Sequence, residues 1–299
     1  MRRSIIVLIY ILLWASACSP LASQPDPETG PVILTSTTFL ADITRNIAGD
    51  RLQVDSLLPI GADPHGYQPT PQDVAKISNS TLLVINGMGY EQFMNTLLGN
   101  AGGQRKVIEA TAGLSPREAA GSAQGVDPHM WLDPNNVIVY AENIRDALTQ
   151  ADPDGAAIYR ENADGYIAQL KALDTWIIEQ VNQVPNDRRL LVTNHEALGY
   201  FADGYDFTVI GAVIPGFSTN AAPSAQQMAG LIDLIKSSGA PAIFLGNMEG
   251  DALAMQIANE AGVKVVSDLH LESLTEGAPA ATYIDMMKHN VRRIVAALK

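Results

Sequence analysis

The sequence predicts an α/β protein of two lobes, each with a parallel sheet flanked by helices, joined by one long rigid helix. Short β-branched runs alternate with helix-period segments along the chain, and they do so in two separate series. Between the series lies one uninterrupted helical pattern. Strands that alternate with helices imply a parallel sheet covered on both faces. A chain of 299 residues also exceeds a typical single domain, which favours two lobes.

Residues 1–17 read as a signal peptide. Met1, Arg2 and Arg3 give a positive start, and residues 5–17 run apolar. Those thirteen residues would reach only about 20 Å as a helix against roughly 30 Å of hydrocarbon, so export and cleavage are expected rather than a membrane span. The small residues Ala15, Ser16 and Ala17 before Cys18 resemble a bacterial lipobox, which implies lipidation at Cys18. Residues 18–31, rich in Ser, Pro, Asp and Gly, are expected to form a flexible tether. Cys18 is the only cysteine, so no disulfide supports the fold and the core must carry its stability.

The first lobe is assigned to residues 32–152. Its predicted strands are 32–35, 52–58, 82–85 and 106–108, and its helices 39–48, 71–78, 90–98 and 136–149. Pro71 suits the first turn of a helix, where its missing N–H is not needed. The connector occupies 153–185. Within it Tyr166, Leu170, Leu173, Ile177 and Val181 recur at steps of three and four, a pattern that predicts one amphipathic helix over 155–183, about 43 Å long. A stiff connector implies lobes that tilt modestly. The second lobe, 186–299, has predicted strands 190–193, 207–213, 242–245 and 263–266, and helices 196–202, 225–237, 251–261 and 283–298.

Removal of residues 1–17 lowers 19 basic residues to 17 against 32 acidic ones, a net charge of −15. Such a surface disfavours nucleic acid and anionic lipid as partners and mildly attracts cations. The chain carries five histidines. His65 sits in a Pro- and Gly-rich loop after a predicted strand, and His129 in a second proline-bracketed segment, Asp127-Pro128-His129. His195 directly follows the strand at 190–193, and Asp268 follows the one at 263–266. Ligands of open α/β sheets bind at the carboxyl ends of strands, so these four side chains could converge on one cleft. Taken singly each has an ordinary structural role available, such as capping the next helix. His270, two residues from Asp268, would face the same side of a continued strand and compete for the site. His289 belongs to the C-terminal helical pattern and reads as a solvated helix residue.

The segments DPHGYQPTPQD, DPHMWLDP, TNHEALGYFADGY, GFSTNAAPSAQQM and VVSDLHLES…YIDMMKHN, in this order, resemble the substrate-binding lipoproteins of zinc and manganese ABC importers. The similarity runs from about residue 32 to the C-terminus. It implies two α/β lobes joined by a long helix with a metal ion between them, held by His65 and His129 from the first lobe and His195 and Asp268 from the second. It further implies an extracytoplasmic receptor, anchored by lipid alone and monomeric, that delivers its ion to an ABC permease. Three imidazoles and a carboxylate suit zinc, with manganese second. In such receptors glutamate often takes the third position when manganese is the cargo, and here it is His195. The histidine-rich loop of many zinc receptors is missing from residues 114–126, which pulls the other way.

Two rival readings are a metalloenzyme and an adhesin with a structural metal. His195-Glu196 resembles the start of a zinc-protease helix, but position 199 is glycine where that motif requires a second histidine. Four protein ligands would also leave no open position for catalytic water.

Overall fold

The computed structural model describes residues 30–117, 125–248 and 250–299. The expected signal peptide, Cys18 and nearly all of the tether lie outside the described residues, as does most of the loop at 114–126. Among the described residues no helix is long and apolar enough to cross a membrane.

Two four-stranded parallel sheets form the frame. The first contains β1 (Ile33–Thr35), β2 (Val54–Ser56), β3 (Leu82–Ile85) and β4 (Lys106–Glu109) in the order β2-β1-β3-β4. The second contains β5 (Leu190–Thr193), β6 (Thr208–Ala212), β7 (Ala242–Gly246) and β8 (Lys264–Leu269) in the order β6-β5-β7-β8. The two orders are the same. In each sheet the chain steps to one side of its first strand and then crosses to the other, which opens a crevice at the carboxyl ends of the central strands.

Helices α1 (Thr38–Ala48), α2 (Pro71–Asn79), α3 (Met94–Ala101) and α4 (Pro134–Ala151) accompany the first sheet. Pro71 opens α2 as expected, and Thr70 with Asp73 completes a capping box. The predicted connector is present as α5 (Ala156–Val181), 26 residues and about 39 Å long. Its buried face comprises Tyr159, Ala163, Tyr166, Leu170, Leu173, Ile177 and Val181, the expected stripe extended about two turns toward the N-terminus. Helices α6 (Gly199–Tyr205), α7 (Ala225–Ser238), α8 (Ala252–Ala261) and α9 (Tyr283–Leu298) complete the second half.

One apolar core runs through both halves. It joins Phe39, Trp131, Tyr140 and Tyr166 to Phe201, Phe244, Leu271 and Tyr283. Helix α5 packs against α1, α4 and α9, and the backbone N–H of Tyr283 at the start of α9 donates to Asp42 Oδ2 of α1 at 2.8 Å. The last helix therefore ties the second half back to the first.

Several elements start or end a few residues from their expected bounds, and two of these differences lie near the site. α6 begins at Gly199 rather than 196, leaving His195 and Glu196 in a turn. β8 runs to Leu269, three residues beyond the expected end. That places Asp268 inside the strand instead of after it.

Candidate metal centre

The two Asp-Pro-His segments share one local construction. Asp63 Oδ1 accepts the backbone N–H of His65 at 2.9 Å, and Asp127 Oδ1 accepts that of His129 at 3.0 Å. The intervening proline has no N–H to compete and fixes its own φ, so the aspartate folds the loop back on the histidine two residues on. The two aspartates differ in their further bonds. Asp63 Oδ2 accepts from Thr219 Oγ1 at 2.7 Å, across to the second half. Asp127 Oδ1 also holds the His129 ring, accepting from Nδ1 at 2.9 Å, so that Nε2 faces the opposite way. Asn86, at the end of β3, supports the second loop by donating to Pro128 O at 3.0 Å.

His195 lies two residues beyond β5, and Thr193 Oγ1 donates to its carbonyl at 2.6 Å. The fourth group comes from the segment after β8. Trp131 Nε1 donates to Leu271 O at 2.8 Å, and Ser273 Oγ accepts from Gly61 N at 2.9 Å. These two bonds from the first half bracket Glu272.

The four side chains meet. Glu272 Oε1 is 2.9 Å from His65 Nε2, 3.2 Å from His195 Nε2 and 3.6 Å from His129 Nε2. His129 and His195 approach each other through Nε2 at 3.3 Å. One donor atom from each of His65, His129, His195 and Glu272 lies within 4.8 Å of the other three, and all four side chains are buried. It is the one cluster of this kind found among the described residues. His65 alone of the four lines a neighbouring cavity of about 340 Å³, which it shares with Met88, Tyr90 and Phe217.

Burial works against charge at this point, yet charge persists. Desolvation alone would raise the Glu272 carboxyl; hydrogen bonds with His129, His195 and His65 outweigh it and hold the group well below the ordinary carboxylate range. Burial likewise pushes the His129 imidazole down, and its bonds to Asp127 and Glu272 outweigh that, leaving it raised above 6.5.

The three expected histidines therefore come together, and Asp268 does not join them. Its Oδ1 accepts from Arg293 Nε at 2.8 Å, and its side chain is 48% exposed. Within the longer β8 it faces α9; the strand ends one residue on, at Leu269, and Glu272 follows three residues beyond that end. His270 does not compete for the position either. Its backbone is clamped by Asn290 through bonds of 2.8 and 2.6 Å, and its ring packs edge-on against His289. His289 is only 17% exposed and bonds to Asp268 O at 2.8 Å, so it is less solvated than expected. The sequence did contain a signal for Glu272, a single acidic residue among Leu271, Ser273 and Leu274 in a buried run.

Comparison with known proteins finds relatives over nearly the whole chain. The family described as "Zinc-uptake complex component A periplasmic" matches residues 33–297. The manganese-binding lipoprotein MntA of Halalkalibacterium halodurans is 34% identical over 297 residues, covering 99% of this chain and 97% of MntA. Among solved structures, the Mn-bound periplasmic metal-binding protein of Candidatus Liberibacter asiaticus superposes with a TM-score of 0.82 at 30% identity, covering 90% of this chain and 100% of that one. The periplasmic zinc-binding protein TroA of Treponema pallidum does so with a TM-score of 0.84 at 29% identity, covering 90% and 99%. With a match across both sheets and the connecting helix, this chain belongs to the ZnuA family of metal-binding receptors of ABC importers, which are not enzymes.

Proposed function

We propose that this protein captures Zn(II) through His65, His129, His195 and Glu272, in a cleft between two lobes of residues 32–152 and 186–299, and delivers it to an ABC permease. The observation that carries this reading is the spacing of the donor atoms. Four donors placed tetrahedrally about 2.0–2.1 Å from one zinc ion lie roughly 3.3 Å apart. Four of the six donor–donor separations run from 2.9 to 3.6 Å, and all six lie within 4.8 Å. All three imidazoles approach the same oxygen of Glu272, an arrangement suited to a one-oxygen carboxylate ligand and four-coordination. Three imidazoles also favour zinc over a harder ion that prefers oxygen.

Manganese is the second reading, supported by the manganese-binding relative and the Mn-bound structure. Competition of zinc against manganese on the chelator-stripped soluble domain, with elemental analysis of the protein as isolated, separates the two. Manganese recovered in stoichiometric amount from zinc-replete cells defeats the zinc reading.

The receptor is extracytoplasmic, held to the membrane by lipid on Cys18 alone, and acts as a monomer. Lipoprotein relatives support the first two points. Labelling with a radioactive fatty acid, lost in Cys18→Ala, tests the anchor.

A further inference from the structure

We infer that Arg117 fastens the two halves of the molecule over the bound ion and thereby sets how fast the ion leaves. The inference rests on the proposed use of His129 and His195 as ligands. Arg117 follows β4, in the first half. Its Nε and Nη2 donate to the two carboxylate oxygens of Asp203 on α6, at 2.7 and 3.3 Å. Its Nη1 donates to Asp127 Oδ2 at 3.4 Å. Its backbone N–H donates to Tyr200 Oη at 2.9 Å, and Tyr200 Oη in turn donates to Asp127 O at 3.0 Å. The guanidinium also lies over the Tyr200 ring, 5.8 Å from its centroid.

These contacts join the supports of two ligands from opposite halves. Asp127 is wholly buried and commits Oδ1 to the backbone and ring of His129, so Arg117 serves its other oxygen. α6 begins four residues after His195 and carries Gly199, Tyr200 and Asp203, all of which meet Arg117. The fit depends on a missing side chain, because a Cβ at position 199 would stand 2.7 Å from Arg117 Cζ and 2.7 Å from Asp127 Oδ2.

An ion held by four buried ligands leaves only when the halves part, and parting breaks the fork to Asp203. That fork is partly solvated, with Arg117 30% and Asp203 60% exposed, so it contributes little to folding. Its two-pronged geometry nonetheless resists separation along the direction of opening. Arg117 is therefore a positioning residue whose signature is in release rather than capture.

Stopped-flow transfer of Zn²⁺ to a chromogenic chelator, on the full mature chain, tests this. Asp203→Asn breaks the inter-half arm alone and is expected to speed release about threefold, with association and the metal-free melting curve unchanged. Arg117→Ala also loosens Asp127 and is expected to speed release about tenfold. The double variant should release no faster than Arg117→Ala. Release at the wild-type rate in both single variants overturns the proposal. Acceleration in Arg117→Ala without any in Asp203→Asn also overturns it, since the guanidinium then acts on Asp127 only. If Arg117→Ala does not fold, Asp203→Asn decides alone. A wild-type protein that binds no Zn²⁺ defeats the ligand assignment itself, an outcome distinct from wild-type binding with unaltered release.

Discussion

The indole Nε1 of Trp131 donates to the carbonyl of Leu271 at 2.8 Å, joining the segment after His129 to the residue before Glu272. Trp131 is buried, stacks on Phe39 with ring centroids 4.6 Å apart, and accepts from Tyr283 Oη at 2.6 Å through its own carbonyl. A proposed ligand from each half is thus referenced to one aromatic side chain. In Trp131→Phe the Leu271 carbonyl loses its partner in a dry environment, at a cost of about 1–3 kcal/mol before any cavity is counted. The urea midpoint and the zinc affinity should both fall. A lower midpoint with unchanged affinity would show that Trp131 supports the fold without positioning Glu272.

The identity of the carboxylate is open to a direct contrast. Glu272→Gln removes the anion within 3.6 Å of three imidazoles and is expected to weaken zinc binding by at least 100-fold. Asp268→Asn breaks only an exposed pair with Arg293 and should leave affinity within about twofold. Competition titration against a chelator of known strength reads both, and a reversed ranking restores Asp268 as the ligand.

The two Asp-Pro-His loops predict unequal effects of the same substitution. Asp127→Asn disturbs the acceptor that orients the His129 ring and should cost about 10–100-fold in affinity. Asp63 bonds the backbone of His65 and the Thr219 hydroxyl but is not seen to orient a ring, so Asp63→Asn should cost several-fold at most. Equal losses in the two variants would contradict the distinction.

Acidity acts on the empty and loaded sites in opposite senses. Because the His129 value is raised above 6.5, its protonated form stabilises the metal-free fold fully below about 6.5, and that contribution is lost as pH rises through the raised value. Because the Glu272 value lies well below 4.5, its contribution is present above about 4.5 and is lost on acidification through the depressed value. Zinc requires neutral imidazole and so competes with the proton on His129. Affinity should start to fall at a pH above 6.5 and continue downward, and the thermal stabilisation given by zinc should shrink with it. Affinity that stays constant from pH 8 to 5.5 removes His129 from the ligand set.

Local chemistry in the chain specified most of the frame. Periodicities of two and three to four residues located every strand and helix described, and the stripe from Tyr166 to Val181 identified α5, because such patterns record which face each element must bury. Pro71 marked the start of α2 for an equally local reason. The same was true of His65, His129 and His195, which stand in or beside turns that their own neighbours dictate. Glu272 was decided by tertiary structure. Whether a carboxylate after β8 reaches the cleft depends on how far that strand pairs with β7, and the pairing, through Gly246 and Leu269, is a long-range property. Three more residues of ladder turned Asp268 toward Arg293 and delivered Glu272 to the histidines. The Arg117 bridge belongs to the same class, since Asp127, Tyr200 and Asp203 become neighbours only when both halves have folded around one core. Side-chain pattern encodes burial, and burial is local to an element; the meeting of charges from separate elements depends on strand register and packing, which no single segment contains.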